Sequence, residues 1–178
     1  MYTDPNDKLR PSVTVPALRM RKNNEEKITA LTCYDASFAA ALERAELDIA
    51  LVGDSLGMVV QGQDSTLPVT LEQMVYHCKA VARGLRTPLL IADMPFMSYR
   101  DVPVAMDSAT RLLAEGGAAM VKVEGAGWVV DVIKALAERD VPVCAHLGLT
   151  PQSVHKLGGY RVQGKLEAQA QQLLEDAH

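Results

Sequence analysis

The sequence has 178 residues, of which 48% are hydrophobic, and its 18 basic and 22 acidic side chains leave a formal charge of −4. Hydrophobic content this high, spread in short runs, is typical of one folded domain and excludes a disordered chain or a membrane-spanning run of about 20 apolar residues. Lysines and arginines are scattered singly, so no basic patch predicts binding of a polyanion. We therefore expect neither nucleic acid nor membrane as a partner.

Cysteine usage and the amino-terminal sequence indicate a cellular compartment. The three cysteines, Cys33, Cys78 and Cys144, are odd in number and lack CxxC spacing. This pattern fits neither a disulfide framework nor a zinc knuckle and indicates buried thiols in a reducing compartment. The polar, proline-containing start has no apolar core of a signal peptide. We expect a cytoplasmic protein.

Residues 1–26 are interpreted as a polar lead-in segment and residues 27–178 as a single domain in which apolar runs alternate with helix-like segments. In each run, the residues that would point to either face of a strand are apolar, which is typical of strands buried on both faces of a parallel sheet. They cover residues 28–33, 48–53, 88–93, 120–125 and 141–146. The first predicted helix is Asp35–Ala45, with Asp35 as its cap and Phe38, Leu42 and Ala45 on one face. A second helix runs from the Thr70–Gln73 capping box to Gly84. The remaining predicted helices are Val104–Glu115, Trp128–Arg139 and Lys165–His178.

Five strand–helix repeats predict βαβ units and a parallel sheet. Polar side chains follow all five strands, which favours a barrel, because every barrel strand delivers residues to a common mouth. A complete eight-unit barrel needs about 250 residues. The fold expected is therefore an α/β (βα)8 barrel cut to about its first five units, with the sequence a fragment of a longer protein.

Acidic residues end three of the apolar runs and form the main candidate site. Asp54 and Asp93 each close a strand, and Glu124 closes a third strand two residues after Lys122. Oxygen ligands without sulfur suit Mg²⁺, and buried carboxylates require a partner. The alternative is that these acids cap the helices that follow, as we expect for Asp35.

Lys122, His146 and Ser55 are further candidates. A lysine within an apolar strand requires an anionic partner, unless its stem carries the ammonium to the surface. His146 is either a donor to a substrate oxygen, an acid–base group or a structural histidine. Ser55 is either an anion-binding residue or a helix cap. The polar loop 61–68 is long enough for a lid, although a surface connection explains it equally well.

Six segments of the sequence carry a resemblance to a known family. They read LTCYDASFA, LVGDSLGMVVQGQDSTLPVTLEQMVYH, ADMPFMSY, MVKVEG, VCAHLGLTPQS and GGYRVQGK. In this order they strongly resemble the ketopantoate hydroxymethyltransferase family. The resemblance implies a (βα)8 barrel of the phosphoenolpyruvate/pyruvate superfamily, a homodecamer, and a role in pantothenate and coenzyme A biosynthesis.

The resemblance also implies a reaction and a set of site residues. A hydroxymethyl group would pass from 5,10-methylenetetrahydrofolate to 3-methyl-2-oxobutanoate through an enolate that Mg²⁺ and Lys122 stabilise. By motif, the magnesium residues are Asp54, Asp93 and Glu124. The keto-acid contacts implied are Asp54, Ser55, Asp93 and Lys122, with His146 and Tyr34 lining the same pocket.

The family's proposed catalytic base is a glutamate at the end of the sixth strand, which lies beyond His178. The resemblance thus implies no catalytic base in this sequence, and we expect the 178 residues alone to be inactive or nearly so. Two alternatives stay open: a non-catalytic fragment of that enzyme, or another magnesium-dependent lyase or mutase of the superfamily. The Lys-x-Cys-Gly-His segment of those lyases is absent, which disfavours the second.

Overall fold

A computed structural model describes residues 10–178, and in it helices alternate with parallel strands. Residues 1–9 of the predicted lead-in segment lie outside this range. The helices are α1 (Val15–Asn23), α2 (Ala36–Arg44), α3 (Leu56–Val59), α4 (Leu71–Ala82), α5 (Val102–Thr110), α6 (Trp128–Ala137), α7 (Val154–Leu157) and α8 (Glu167–Ala177). The strands are β1 (Ala30–Thr32), β2 (Ile49–Val52), β3 (Leu89–Asp93), β4 (Met120–Glu124) and β5 (Val143–His146). A π-helical segment (Arg111–Glu115) extends α5, and a 3₁₀ turn (Pro151–Ser153) precedes α7.

The five strands form one parallel sheet in which each strand pairs with its neighbours in sequence. The order is β1-β2-β3-β4-β5. An open doubly wound sheet reverses its strand order partway across, whereas a barrel wall keeps the sequential order seen here. The predicted parallel βα units are therefore confirmed, and the carboxyl ends of all five strands lie along one edge.

Burial along the sheet differs from the expectation that every strand is covered on both faces. All of β3 is buried, as predicted for a central strand. The three residues of β1 are exposed, so the prediction is wrong there. Within residues 10–178, β1 and β5 pair on one side only, and fewer side chains pack against them. The core lies between the sheet and the helices α4, α5 and α6, around Met74, Leu112, Val121 and Leu136.

Helix α2 begins after Asp35, whose carboxylate accepts the Phe38 N–H at 2.8 Å, as predicted for an N-cap. The predicted apolar face is confirmed at Leu42 and wrong at Phe38 and Ala45, which are exposed, while Ala39 and Ala40 are buried instead. Small residues face inward because α4 approaches closely at Gly84. A Cβ at Gly84 would lie 2.4 Å from the Ala36 carbonyl oxygen.

Gly84 therefore serves close helix packing, since α4 already ends at Ala82 and Arg83 is its C-cap. The capping box that starts α4 is present, with Thr70 and Gln73 exchanging hydrogen bonds. The other predicted helices exist with shifted ends: α5 starts earlier, after Asp101, because that carboxylate caps Val104 N–H at 2.9 Å.

The described part of the lead-in segment contains α1, a helix that the sequence analysis did not predict. Thr14 caps it and a proline lies in its first turn, and these two residues are the sequence signal of a helix start in this polar stretch. Asp48, 4% exposed, anchors the segment. Its carboxylate pairs with Arg10 at 3.1 Å and Arg21 at 2.6 Å and accepts the Thr29 N–H at 2.9 Å.

Burial alone would raise the pKa of Asp48, but hydrogen bonds from Thr29 and Arg21 outweigh burial and lower the pKa to about 2. The ion pairs thus fix the amino-terminal helix to β2 in the ionised state of this carboxylate. Among the helices of residues 10–178, none has the combined length and apolarity that crossing a bilayer requires.

Candidate active site

The acids predicted from the sequence meet at the carboxyl end of the sheet. Asp54, Asp93 and Glu124 are 1%, 3% and 6% exposed. The Asp54 N–H donates to Asp93 Oδ2 at 3.1 Å, and burial, to which the charge of Glu124 adds, raises the pKa of Asp54 and of Asp93. The three acids therefore form one buried cluster, contributed by three adjacent strands.

None of these acids caps a helix, the alternative considered from the sequence. The short helix α3 follows Ser55, which makes no side-chain capping hydrogen bond, and α6 begins after Gly127. Gly53 gives Asp93 room beside Asp54, because a Cβ at Gly53 would lie 3.3 Å from Asp93 Oδ2. The acids thus lie in one buried cluster and do not cap the helices that follow them.

Lys122 supplies the ammonium inside the cluster. In the sheet register Lys122 is the direct partner of Asp93, and its Nζ lies 2.6 Å from Asp93 Oδ1 and 3.8 Å from Glu124 Oε1. Its side chain is 14% exposed, so the alternative of a lysine reaching the surface does not apply. Burial would lower the pKa of Lys122, but Asp93 and Glu124 outweigh burial and raise the pKa, so the side chain stays charged.

The ionisation of the cluster reflects three carboxylates facing one ammonium. Burial, reinforced by the charge of Asp93, raises the pKa of Asp54 from 3.8 to about 7. Burial also raises the pKa of Asp93, even though Lys122 opposes this effect. Negative charge therefore exceeds positive charge in a site that excludes most water, which favours an added cation.

Glu124 is held more completely than the other two acids. His146 Nδ1 lies 3.2 Å from Glu124 Oε1, and the two residues are register partners on β4 and β5. The Gln152 N–H donates to Glu124 Oε2 at 3.0 Å. Both carboxylate oxygens of Glu124 thus have protein partners. The contact also places His146 in the site, with a side chain that is 33% exposed.

Tyr34 and Ser55 lie at the other side of Asp54. Burial raises the pKa of Tyr34, Asp93 and Asp54 raise it further, and the hydroxyls of Thr32 and Ser55 oppose these effects. A Cβ on Gly53 would lie 3.7 Å from Ser55 Oγ and 3.8 Å from the Tyr34 hydroxyl. Two hydroxyl groups therefore flank the acids, so the structure brings together every residue predicted for the site.

Gln152 and Tyr99 also belong to the site, although the sequence analysis did not name them. Gln152 is 7% exposed and contacts Asp54, Met94, Tyr99 and Glu124. The sequence signal for Gln152 is its place in the segment VCAHLGLTPQS, six residues after the end of β5. Tyr99 comes from the loop after β3, and no local pattern distinguishes it from a core tyrosine.

A cavity of about 510 Å³ opens beside the cluster, on the side of Glu124 and Gln152. Tyr99 and Trp128 stack in its wall, with ring centroids 6.0 Å apart. Leu67 from the predicted lid loop 61–68 lines it too, while the neighbouring Thr66 is 1% exposed. That loop is therefore partly packed into the molecule, and the cavity joins apolar rings to a buried acid.

Within residues 10–178, no group of three histidine, cysteine or acidic side chains is arranged to hold a metal ion by itself. Asp54 and Asp93 nevertheless fit a divalent cation. Both are buried, each has a raised pKa, and Asp93 Oδ1 accepts a charge-assisted hydrogen bond from Lys122 Nζ at 2.6 Å. Mg²⁺ usually binds one or two carboxylates and takes its other ligands from water or substrate oxygens.

The thiols match the sequence-based expectation in part. Cys33 and Cys78 are buried, Cys144 is half-buried, and all three are free. Burial raises the pKa of the Cys78 thiol to about 12, so this residue is inert at neutral pH. The cysteines therefore take no part in the site.

Comparisons with known proteins agree with the sequence resemblance. A family model described as ketopantoate hydroxymethyltransferase matches residues 12–178. The 3-methyl-2-oxobutanoate hydroxymethyltransferase of Nitrosococcus oceani is 56% identical over 93% of this chain and 62% of its own length. That of Marinomonas sp. is 54% identical over 99% of this chain and 64% of its own length. The chain thus spans less than two thirds of the length of these relatives.

Solved structures resemble the fold at low sequence identity. A phosphonopyruvate hydrolase in complex with oxalate and Mg²⁺ matches with a TM-score of 0.61 and 15% identity, over 90% of this chain and 67% of that one. A phosphoenolpyruvate phosphomutase from Streptomyces platensis subsp. rosaceus matches with a TM-score of 0.59 and 18% identity, over 72% of this chain and 51% of that one. These matches confirm the predicted barrel class and show the fold alone.

Proposed function

The chain belongs to the ketopantoate hydroxymethyltransferase family, and from this premise we propose that its site binds 3-methyl-2-oxobutanoate with Mg²⁺ and activates it as an enolate. The activated keto acid would accept a hydroxymethyl group from 5,10-methylenetetrahydrofolate, giving 2-dehydropantoate. The observation that carries the proposal is the buried cluster in which the Asp54 N–H donates to Asp93 and Asp93 pairs with the ammonium of Lys122. An anionic keto acid requires both a cation and such an ammonium.

Asp54 and Asp93 would hold the cation, and Glu124 is the third acid of the predicted set. Both oxygens of Glu124 already have partners in His146 and Gln152, so we expect it to contribute less to cation affinity. A bound Mg²⁺ would draw electron density from the carboxylate and keto oxygens of the substrate. The excess of carboxylates over ammonium groups supports this assignment.

Lys122 is proposed to stabilise the charge that develops on the keto oxygen. When the carbon next to the carbonyl loses its proton, negative charge moves to that oxygen, and a fixed ammonium in a water-poor site stabilises it. Asp93 holds the ammonium at 2.6 Å, so little reorganisation is needed as the charge appears. Electrostatic stabilisation of this kind contributes about 3 to 4 kcal/mol per donor in well-studied enzymes.

The hydroxyls of Ser55 and Tyr34 are proposed to orient the keto acid, with His146 at the opposite side. Both hydroxyls lie beside Asp54 and can donate to the substrate carboxylate. In the transfer, the enolate carbon forms a bond to the one-carbon unit, water supplies the hydroxyl oxygen, and tetrahydrofolate leaves. The proposal gives these residues binding and charge stabilisation and assigns the proton acceptor to none of them.

The cavity beside Glu124 is proposed as the approach for the folate. Its stacked Tyr99 and Trp128 rings suit a flat heterocycle. The cavity shares Glu124 and Gln152 with the keto-acid site, as transfer between two bound molecules requires. A homodecameric assembly and a cytoplasmic location belong to the same proposal, and the free cysteines are compatible with a reducing compartment.

Calorimetric titration of 3-methyl-2-oxobutanoate tests the proposal. We expect binding that requires Mg²⁺ and that falls at least about tenfold in Lys122→Met, because a buried charge-assisted contact is worth about 1.5 to 3 kcal/mol. Lys134→Met is the matched control, since that lysine is 73% exposed on α6. Binding that is unaffected by Mg²⁺ and by Lys122→Met would contradict the proposal.

The specificity and the transfer step have their own measurements. An isocitrate-type acid titrated under the same conditions distinguishes the lyase and mutase alternative, which predicts tighter binding of that acid. The transfer is followed by NMR detection of 2-dehydropantoate with the folate present. Because the proposal assigns the proton acceptor to none of the named residues, binding of the keto acid is the decisive measurement.

A further inference from the structure

Gln152 connects three strands of the site through one side chain and one backbone amide. It lies in the 3₁₀ turn Pro151–Ser153 after β5 and is 7% exposed. Its Nε2 donates to Asp54 Oδ2 at 2.8 Å and to the Met94 carbonyl at 3.0 Å. Its backbone N–H donates to Glu124 Oε2 at 3.0 Å. The residue thus contacts groups that follow or end β2, β3 and β4.

The hydrogen bonds fix which end of the amide faces Asp54. Gln152 Oε1 accepts the Tyr99 hydroxyl at 2.7 Å, while Nε2 faces a carboxylate and a carbonyl, both of which are acceptors. A flipped amide would place an oxygen against these two acceptors and the amide nitrogen against the Tyr99 hydroxyl. The two acceptors therefore fix the orientation of the amide, and in that orientation its oxygen accepts the Tyr99 hydroxyl, which holds the side chain from the other end.

Within the described residues, the Asp54 carboxylate has fewer polar partners than the carboxylates of Asp93 and Glu124. Among residues 10–178, Gln152 provides the hydrogen bond that the Asp54 carboxylate accepts, and Lys122 approaches Asp93 and Glu124 more closely. The amide occupies Oδ2 of Asp54. The orientation of Oδ1 is thereby determined by Gln152, since a carboxylate is planar.

We propose that Gln152 is a positioning residue that holds the Asp54 carboxylate in the orientation that binds the divalent cation. The inference rests on the proposed function, because it assumes that Asp54 and Asp93 hold Mg²⁺. Groups that hydrogen-bond to metal ligands usually contribute a factor of about 10 to 100 in metal affinity. A clamp that only stabilised the fold would change stability without changing the affinity of the folded protein.

The test is a titration of the purified chain with Mn²⁺, which substitutes for Mg²⁺. Electron paramagnetic resonance measures the concentration of free Mn²⁺ at each step. We expect Gln152→Leu to weaken Mn²⁺ binding about tenfold or more. Tyr99→Phe keeps Gln152 but removes the hydroxyl that holds its side chain from the other end, so we expect a smaller loss, about threefold to fivefold. Gln171→Leu, the same chemical change on the exposed face of α8, is expected to bind Mn²⁺ like the parent.

Circular dichroism and urea unfolding establish that each variant is folded at the titration temperature. If Gln152→Leu does not fold, Tyr99→Phe decides the question, because it removes one oxygen atom only. Parent-like Mn²⁺ affinity in the folded variants would overturn the positioning role and leave the proposed function intact. Absence of Mn²⁺ binding in the parent chain would overturn the metal assignment, and the role of Gln152 with it.

Discussion

Replacing Asp54 by asparagine should stabilise the metal-free protein at neutral and alkaline pH. Asp54 is 1% exposed, and burial together with the charge of Asp93 raises its pKa from 3.8 to about 7. An acid whose pKa is higher in the folded state favours folding below its unfolded pKa. That contribution is lost as pH rises from 3.8 toward 7. In this range the unfolded chain releases the proton of Asp54, whereas the folded protein retains it.

The magnitude follows from the shift in pKa. A rise from 3.8 to about 7 is about three units, and each unit corresponds to about 1.4 kcal/mol. The ionised Asp54 therefore lowers the free energy of unfolding by up to about 4 kcal/mol at pH 8. Asparagine retains an oxygen for the Gln152 amide but carries no charge. The substitution therefore restores the free energy of unfolding that the ionised Asp54 removes. The difference between Asp54→Asn and the parent should vanish near pH 3.5.

The assay is urea unfolding at several pH values in the presence of a chelator. Asp64→Asn, the same change at an exposed position of loop 61–68, should match the parent throughout. Adding Mg²⁺ should stabilise the parent, by about 2.7 kcal/mol at one hundred times its dissociation constant, and should leave Asp54→Asn unchanged. An Asp54→Asn protein that is less stable than the parent at pH 8 would refute the reasoning.

Three further outcomes follow from the structure. Asp48→Asn should destabilise by about 2 kcal/mol at pH 7 and by much less at pH 2, because the lowered pKa of Asp48, about 2 against 3.8, gives stability that is lost as pH falls through the folded-state pKa; equal stability at pH 7 in urea unfolding would contradict this. Gly84→Ala should cost about 1 to 3 kcal/mol in the same assay, since its Cβ would lie 2.4 Å from the Ala36 carbonyl oxygen; an unchanged midpoint would contradict the close contact. Mn²⁺ affinity should fall further in Asp93→Asn than in Glu124→Gln, because Glu124 already has protein partners on both oxygens; the reverse order would assign Glu124 the larger role.

The strands and the convergence of the site residues could be predicted because both depend on local pattern. Runs of apolar residues identify parallel strands, and carboxyl ends of such strands share one edge of the sheet. Asp54, Asp93 and Lys122 were therefore placed together without coordinates. The buried face of α2 could not be predicted this way, because it depends on how closely α4 approaches at Gly84. Propensity and periodicity carry no information about that distance.

The contribution of Gln152 could not be predicted for a similar reason. Its four hydrogen bonds join segments that are far apart in sequence, such as Asp54 and Gln152, and the sequence does not show which residues a loop glutamine contacts. Tyr99 presents the same difficulty. Residues that act by holding another residue are recognised from contacts, whereas residues that carry charge at a strand end are recognised from the sequence.

The register of β4 links the hydrophobic core to the geometry of the site. Lys122 and Glu124 point toward the site, and the residues that alternate with them, Val121 and Val123, are fully buried on the other face. A shift of one residue between β3 and β4 would exchange these two pairs, which would bury an ammonium and a carboxylate in the core and expose two valines. Such a shift is therefore strongly disfavoured. The pairing of Asp93 with Lys122 at 2.6 Å is thus enforced by apolar burial, and the core fixes the position of the ammonium before any ligand binds.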